Sequence, residues 1–236
     1  MSDRFTEKIL QRRRRTRWRI ALGVLVVVVL GAAVWAVWFS SLLEARTVEV
    51  DGTEHLRVER VLRAAEVPVG TPLPRLDTDA IVERVETLTP VESVRVERDL
   101  PHTVRIVVTE RTAAAWLDRS GTPWAVDASG VVYRPLNSEP SHLPELAVDP
   151  EDRRVVVAAA RVAADIAHAD PRLLAQTRTI RAETRDSIEL DLTGGRTVVW
   201  GSAEQSEAKL AVLRPLLQIR ARGYDVSAPE RPTTAE

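Results

Sequence analysis

The chain has 236 residues, with 33 Lys and Arg against 34 Asp and Glu, no cysteine and 44% hydrophobic residues. This composition excludes a wholly disordered chain and a disulfide-stapled fold, and it supplies enough apolar residues for a core. The near-neutral total hides an asymmetry, because residues 1–19 hold eight basic and two acidic side chains. A basic arm on a mildly acidic body argues against a nucleic-acid-binding globule, whose positive charge would cover a folded face.

Residues 20–43 carry no charged side chain and are rich in Val and Leu. As a helix rising ~1.5 Å per residue they reach about 36 Å, enough for a hydrocarbon core of ~30 Å. We therefore predict a transmembrane helix over 20–43. A cleaved signal peptide is the alternative, but the run exceeds the ~7–15 apolar residues of such a peptide. It also ends in the bulky aromatics Trp35, Trp38 and Phe39.

The orientation of this helix follows from the basic residues at its two ends. Eight precede residue 20, and four follow residue 43 within about 20 positions. The excess predicts a cytoplasmic amino terminus, a single-pass type II topology and an extracytoplasmic body. In such a compartment the absence of cysteine avoids mispaired disulfides.

Residues 47–111 alternate between strand-like and helix-like patterns. A strand with period-two alternation at 47–52 ends in Asp51-Gly52, which predicts a turn. Two helical stripes follow, the second opening at Asp77 or Thr78 as its N-cap. Two further alternating strands are joined at 99–102, which gives the order β-α-α-β-β with helices on one face of a small sheet. The predicted buried side chains are Val58, Val61, Leu62 and Ala65, then Ile81, Val82, Val85 and Leu88, and then Val94, Val96, Val104, Ile106 and Val108.

From Arg111 onward the pattern changes to short strands separated by turn residues. We predict a meander over 113–134, a helix over 151–169 capped near Asp149, and a hairpin over 187–201. The capping-box pattern at 202–205 predicts a helix kinked at Pro215 and ended by Gly223, followed by a last strand at 224–227. The predicted inward residues of that helix are Ala208, Ala211, Val212 and Leu216.

The sequence contains no motif typical of an enzyme active site. It lacks Gly-x-Ser-x-Gly, a Walker loop and His-Glu-x-x-His, and its four histidines are never spaced as metal ligands. Gly194-Gly195 is typical of a hairpin tip. Trp116, Trp124 and Trp200 lie in strand patterns, where a core position is usual. We therefore predict no catalytic, cofactor-binding or metal-binding residue.

A succession of short motifs runs through residues 47–145, and together they resemble the FtsQ (DivIB) family of bacterial cell-division proteins in an actinobacterial-like form. The matching segments are 48–52 for V-x-V-x-G, 70–73 for G-x-P-L/F, 89–101 for P-x-V-x-x-A-x-V-x-R-x-x-P, 104–111 for T-x-x-I-x-V-x-E-R, then 115–116 and 126–132. Beyond Pro150 the similar positions are Trp200-Gly201, Lys209-Leu210 with Leu213, and 225–227. Ser93 departs from the family, in which a small apolar Ala is usual.

The resemblance implies an α+β fold with a single N-terminal transmembrane helix, a POTRA domain (β-α-α-β-β) and then a β-rich α+β domain. The implied organisation is a cytoplasmic basic arm at 1–19, the transmembrane helix at 20–43, the POTRA domain at 47–111, an FtsQ-type β domain at 112–228 and a polar tail at 229–236.

The function implied by the resemblance is that of a scaffold without catalysis, located in the cytoplasmic membrane at the division septum. Family members bind FtsB (DivIC)-like and FtsL-like coiled-coil proteins and help to control septal peptidoglycan synthesis by FtsW and FtsI, with no nucleic acid or small-molecule substrate. Two alternatives stay open. A membrane-anchored cell-wall hydrolase needs a nucleophile or a carboxylate pair in a cleft, and a POTRA-type export chaperone usually shows repeated POTRA units or a barrel.

The family resemblance also implies a partner-binding site on the final strand and its surroundings, where an extended partner segment pairs with a free sheet edge. Tyr224 is expected to be exposed there, and Arg185 on the neighbouring strand is a weaker candidate. The alternative is that Tyr224 and Val226 only close the core. The implied partner-binding residues are Tyr224, Asp225, Val226, Ser227, Ala228, Arg231 and Arg185.

Overall fold

The computed structural model describes residues 18–32, 35, 38 and 43–235, and the chain divides into two compact units between Glu110 and Arg111. Residues 18–32 are helical, and the large apolar side chains between Ile20 and Leu30 are exposed. Across the described ranges, no helix combines the length and apolar character required to cross a membrane. The predicted span at 20–43 lies partly outside the described residues, and so does the basic arm at 1–19, of which only residues 18 and 19 are described.

The first unit has the predicted order of elements. Its bounds are β1 Thr47–Asp51, α1 Val58–Ala65, a 3-10 turn Leu73–Arg75, α2 Thr78–Glu86, β2 Val91–Asp99 and β3 Thr103–Glu110. The sheet order is β1-β3-β2, with β3 parallel to β1 and antiparallel to β2. The Asp77 carboxylate accepts a hydrogen bond from the Ala80 N–H at 3.1 Å, which confirms Asp77 as the cap of α2.

The core of the first unit follows the predicted alternation, with corrections at its margins. Val94, Val104, Ile106 and Val108 are buried together with residues from both helices. The central predicted residues of the helices are also buried, namely Val61 and Ala65 in α1 and Ile81 and Val85 in α2. In contrast, Val58 and Leu62 remain exposed and Val82 and Leu88 are only half-buried, because each helical stripe is wider than the face that the sheet covers. Val96 in β2 is also only half-buried.

The second unit contains a nine-stranded sheet in the order β12-β11-β10-β9-β8-β7-β4-β5-β6. The strands are β4 Ala113–Arg119, β5 Thr122–Asp127, β6 Val132–Pro135, β7 Glu145–Ala147, β8 Thr177–Ala182, β9 Ile188–Leu192, β10 Arg196–Gly201, β11 Gly223–Asp225 and β12 Thr233–Ala235. The helices are α3 Arg153–Ala169, α4 Pro171–Gln176 and α5 Ser206–Leu216. The predicted meander and the predicted 187–201 hairpin are confirmed as β4-β5-β6 and β9-β10. Trp116 and Trp200 are core residues, as predicted.

The helix ends of the second unit differ from the prediction. α3 begins at Arg153, because Asp152 and not Asp149 accepts hydrogen bonds from the first-turn N–H groups of Arg154 and Val155. Asp170 follows the last residue of α3 and precedes α4. Its carboxylate accepts a hydrogen bond from the Leu173 N–H and so caps α4, which sequence analysis missed.

The predicted capping box at 202–205 is wrong. α5 begins at Ser206 after Gln205, which has a positive φ and gives no side-chain cap. Its buried residues are Ser206, Lys209, Leu210 and Leu213, whereas the predicted inward residues Ala208 and Ala211 are exposed. Pro215 lies in the last turn, so the helix ends at Leu216, and Gly223 opens β11.

Candidate partner-binding surface

β11 and the residue after it carry the first predicted site residues, and two of them, Tyr224 and Val226, face the core. Tyr224 is only 2% exposed, and its hydroxyl donates to the Ile219 carbonyl at 2.8 Å and the Ala221 carbonyl at 3.1 Å. Val226 is fully buried, and its N–H donates to the Val199 carbonyl at 3.0 Å. The expected exposed aromatic at Tyr224 is therefore wrong, since both side chains close the core.

The remaining predicted residues of this segment surround the connection after β11. The Asp225 carboxylate accepts hydrogen bonds from the Ser227 N–H at 2.9 Å and hydroxyl at 2.7 Å. The Arg231 N–H donates to the Ala228 carbonyl at 2.9 Å. Ser227, Ala228 and Arg231 are exposed and accessible to a partner.

The predicted polar tail contains a strand that covers β11. β12 pairs antiparallel to β11, with Thr233 opposite Asp225, and the other side of β11 pairs parallel to β10. The expectation that 224–227 is the last strand, with an unpaired edge, is therefore wrong. A three-residue polar strand gives no periodic signal, so the sequence pattern could not reveal it.

The predicted position of Arg185 on the strand next to 224–227 is wrong, because Arg185 lies in the turn between β8 and β9, whereas the neighbours of β11 are β10 and β12. In that turn it lines a groove of about 540 Å³ in the second unit. The groove is bounded by the first turns of α3, the turn between β8 and β9, and the start of the β10–α5 connection. Its floor includes the partly buried Val157, Ala158 and Ala203. The charged residues that line it are Arg153, Arg154, Arg161, Arg185, Asp186 and Glu204.

The four arginines of this groove are weakly neutralised. Arg185 pairs with its neighbour Asp186 at 3.3 Å, and both are well exposed. Among the residues that the structure describes, Arg153, Arg154 and Arg161 have no ion-pair partner within 4 Å. Arg153 and Arg154 also occupy the first turn of α3, where the helix dipole disfavours positive charge. An acidic group entering the groove would therefore meet uncompensated positive charge.

The groove adjoins the segment that follows β11. Gly201 ends β10 with a φ of +80°, and a Cβ there would lie 2.9 Å from the Ser227 Cβ. Ser202, the next residue, lines the groove. The segment after β11 therefore packs against the end of β10, one residue before the groove begins. Sequence analysis missed Arg153, Arg154 and Arg161, although two arginines opening a helix were a usable signal.

Lys209 supports the loop that forms one wall of the groove. Its side chain is 1% exposed, and the ammonium group donates to the Ser202 carbonyl at 2.8 Å. The ammonium also lies 5.9 Å from the centre of the buried Trp200 ring. Burial lowers the pKa of Lys209, and Glu204 only partly opposes this effect. Lys209 therefore fixes the start of the β10–α5 connection.

A separate groove of about 500 Å³ in the second unit is acidic. The carboxylates that line it are Asp118, Glu145, Asp149, Asp152 and Glu183. Burial raises the pKa of Glu145, and Glu139 and Asp118 add to the shift. Asp149 and Asp152 accept hydrogen bonds from backbone N–H groups, so both have structural roles. Among the described residues, no group is suited to hold a metal ion.

The motif residues of the first unit hold its fold. The Glu110 carboxylate accepts hydrogen bonds from the Glu54 and Leu56 N–H groups at 2.8 Å and from the His55 N–H at 3.0 Å. Burial alone would raise the pKa of Glu110, but these bonds and the nearby His55 ring together lower it. Gly52 has a φ of +83°, and a Cβ there would lie 2.1 Å from the Val108 carbonyl oxygen.

The Asp127 turn has a similar role in the second unit. The Asp127 carboxylate accepts bonds from the Ser129 hydroxyl, the Val131 N–H and Arg111 at 2.5–2.8 Å. Burial would raise the pKa of Asp127, but these partners lower it. Gly130, with a φ of +78°, would place a Cβ 2.6 Å from the Val157 Cα, so no other residue fits against α3 without a shift.

Two family models match consecutive parts of the chain. Residues 43–111 match the POTRA domain, FtsQ-type, and residues 114–226 match the C-terminal domain of cell division protein FtsQ/DivIB. The two matches follow one another across both compact units. β12 lies beyond the end of the second match.

Whole-chain relatives agree with these matches. The chain is 34% identical to cell division protein FtsQ of Streptomyces coelicolor, over 94% of this chain and 89% of that protein. It is 37% identical to FtsQ of Mycolicibacterium smegmatis, over 92% of this chain and 63% of that protein. A solved structure, the major extracytoplasmic domain of the cell division protein DivIB from Geobacillus stearothermophilus, aligns with a TM-score of 0.37 at 17% identity. That alignment covers 52% of this chain and 98% of the DivIB chain.

Proposed function

The chain belongs to the FtsQ/DivIB family of cell division proteins, and from this premise we propose that it is a non-enzymatic, membrane-anchored scaffold of the divisome. It links FtsB (DivIC)-like and FtsL-like partners to septal peptidoglycan synthesis by FtsW and FtsI. The observation that carries the proposal is the groove of the FtsQ-type C-terminal domain, which four arginines and only two acidic residues line. Such a surface suits a protein partner.

The proposed anchor is a single helix over 20–43, with the basic arm in the cytoplasm and both units outside, at the division septum. The uncharged run supports it, as do the exposed apolar side chains of the described part of that helix. Exposed apolar surface of this extent is stable only when lipid or protein covers it. A reporter fused before Ser2 is expected to stay inside the cell. External reporter activity, or a mature protein that begins near Val37, contradicts the anchor.

The proposed partner surface combines the arginine-lined groove with the exposed part of the segment after β11. Arg185, Ser227, Ala228 and Arg231 are the members that a partner can reach. Four arginines against two acidic residues favour an acidic partner segment. Tyr224 and Val226 act through the core, where they hold β11 in place.

Site-specific photo-crosslinking in growing cells tests this surface. A photoreactive residue at Arg185 or Ser227 is expected to capture the FtsB-like protein of the same organism. Asn137, an exposed residue just beyond β6 at the opposite edge of the sheet, is the matched control. Equal capture from Asn137, or capture from neither Arg185 nor Ser227, contradicts the proposed surface.

A separate assay tests the absence of catalysis. The acidic groove is the surface that a cell-wall hydrolase would use, because Glu145 has a raised pKa beside other carboxylates. The purified chain is expected to release no fragments from peptidoglycan, and Glu145→Gln is expected to support normal division. Release of fragments that Glu145→Gln abolishes would replace the scaffold with a hydrolase.

A further inference from the structure

β12 covers the edge on which a partner strand would be added. Ala235, Thr234 and Thr233 lie opposite Gly223, Tyr224 and Asp225 in antiparallel register. The Arg222 N–H, just before β11, donates to the Ala235 carbonyl at 3.1 Å. Because the other side of β11 pairs with β10, both sides of this strand are occupied in the free chain.

The two neighbouring strands are held very differently. All three residues of β12 are exposed, so backbone pairing at the surface is what holds the strand. Each such hydrogen bond contributes little net stability, because water can replace either partner at the surface. β11, in contrast, places Tyr224 in the core and is followed directly by the fully buried Val226. Release of β12 therefore leaves β11 in place and exposes a ready edge.

We propose that residues 228–235 form a self-pairing strap, which occupies the β11 edge in the free protein and is displaced by an extended partner segment. This inference rests on the proposed function. β12 lies beyond the residues that match the family's C-terminal domain. The incoming segment takes over the direction of β12 and runs antiparallel to β11.

The strap has two physical consequences. It protects an edge that would otherwise pair with any exposed strand. It also sets the apparent affinity of the partner, because the observed dissociation constant is the intrinsic one divided by the fraction of chains with an open edge. Removing the strap is therefore expected to tighten binding, whereas fixing it in place is expected to prevent binding.

Two variants of the full chain, in detergent micelles, test these expectations against the purified extracytoplasmic part of the FtsB-like partner. The first deletes 229–236 and is expected to bind about tenfold more tightly than the wild type.

The second variant, Asp225→Cys with Thr233→Cys, joins directly opposite residues, whose Cα separation of ~4.5–5.5 Å suits a disulfide. Because the chain has no cysteine, this pair is the sole thiol pair available. Its oxidised form is expected to lose binding and its reduced form to regain it, with Asp225→Cys alone as the control.

The outcomes separate the strap from the proposed function. If the deletion weakens binding, the partner adds to the outer side of β12, so the strap is wrong and the scaffold function stands. Unchanged affinity in both the deletion and the oxidised pair also overturns the strap. If neither the wild type nor the deletion variant binds the FtsB-like protein, the proposed partner is wrong, and the strap proposal is then wrong as well. A melting temperature lowered by more than about 4 °C on deletion also overturns the strap, because release of β12 would then not leave the rest of the unit in place.

Discussion

The two units differ in whether their charged residues stabilise the fold or remain available to a partner. In the first unit, Glu110 is satisfied by three backbone N–H groups, and Gly52 lies against the Val108 carbonyl. In the second unit, Arg153 and Arg154 line an open groove and sit against the helix dipole. The motif residues of the first unit are therefore devoted to folding, whereas a substantial part of the second unit's charge remains available to a partner.

The largest expected effect concerns the core of the first unit. Ile106→Asp buries a carboxylate at a position with no exposed surface, next to apolar neighbours. The cost is several kcal/mol against a typical domain stability of ~5–15 kcal/mol, so the first unit is expected to unfold. Hydrogen exchange read by mass spectrometry should show lost protection over 47–110 and retained protection over 113–226.

Val107→Asp is the matched control, because Val107 is half-buried on the opposite face of β3. Its effect is expected to be clearly milder. Equal loss of protection in the two variants would refute the assignment of the faces of β3.

A somewhat smaller effect is expected at Gly52. Gly52→Ala forces a Cβ to within 2.1 Å of the Val108 oxygen and adds strain at a positive φ, so β1 and β3 must separate. We expect a loss of about 3 kcal/mol in the stability of the first unit. Gly70 has a φ of +88° but nothing within 4 Å of its Cβ position. Gly70→Ala therefore measures the loss of stability that a positive φ causes without a close contact, which is about 1 kcal/mol. If Gly52→Ala and Gly70→Ala lose the same stability, the close contact is not the cause.

The third effect is pH-dependent and concerns Glu110. Its pKa is lower in the folded state, so the folded state binds fewer protons in the acidic range. This stabilisation is complete above the unfolded-state value of ~4.3 and is lost as the pH falls through the folded pKa. Glu110→Ala leaves three N–H groups without their acceptor, and is expected to cost about 1–3 kcal/mol at pH 7.

Denaturant melts at pH 7 and pH 3 measure the Glu110 contribution. The difference between wild type and Glu110→Ala is expected to shrink at pH 3. The control is Glu97→Ala, an exposed residue of β2. A difference that stays constant between the two pH values, or a Glu97→Ala effect of equal size, contradicts the role of the Glu110 carboxylate.

The two units also differ in how far their structure could be predicted from sequence. The β-α-α-β-β order was predictable because each element is long enough to show its period and Asp77 gives a local cap. In the second unit, β7, α4 and β12 have three, six and three residues, too few for a period to emerge. α5 was predicted to begin too early because the capping-box pattern at 202–205 does not reveal that Gln205 adopts a positive φ directly before the helix.

The candidate surface was only partly predictable for the same reason. Arg185 came from the family resemblance, whereas its neighbours in the groove come from α3 and the β10–α5 connection, far away in sequence. A groove formed by three separate segments has no sequence period. β12 was missed because strand pairing is decided by the partner strand and not by its own three residues.

The smallest expected effect has opposite signs for stability and for binding. Arg154→Gln removes a positive charge from the first turn of α3, where the dipole disfavours it, and is expected to stabilise the second unit by about 0.3 kcal/mol. The same change removes one attractive charge from the groove, so the affinity for the FtsB-like partner is expected to fall about threefold and to depend less on salt. Arg161→Gln is the control within the same helix, because Arg161 lines the groove but lies beyond the first turn. It is expected to weaken binding by a similar factor without any gain in stability.

Denaturant melts and binding titrations at two salt concentrations measure both quantities on the same preparations. If Arg154→Gln weakens binding only in proportion to a loss of stability, the arginines hold the fold as the motif residues of the first unit do, and the contrast between the two units disappears.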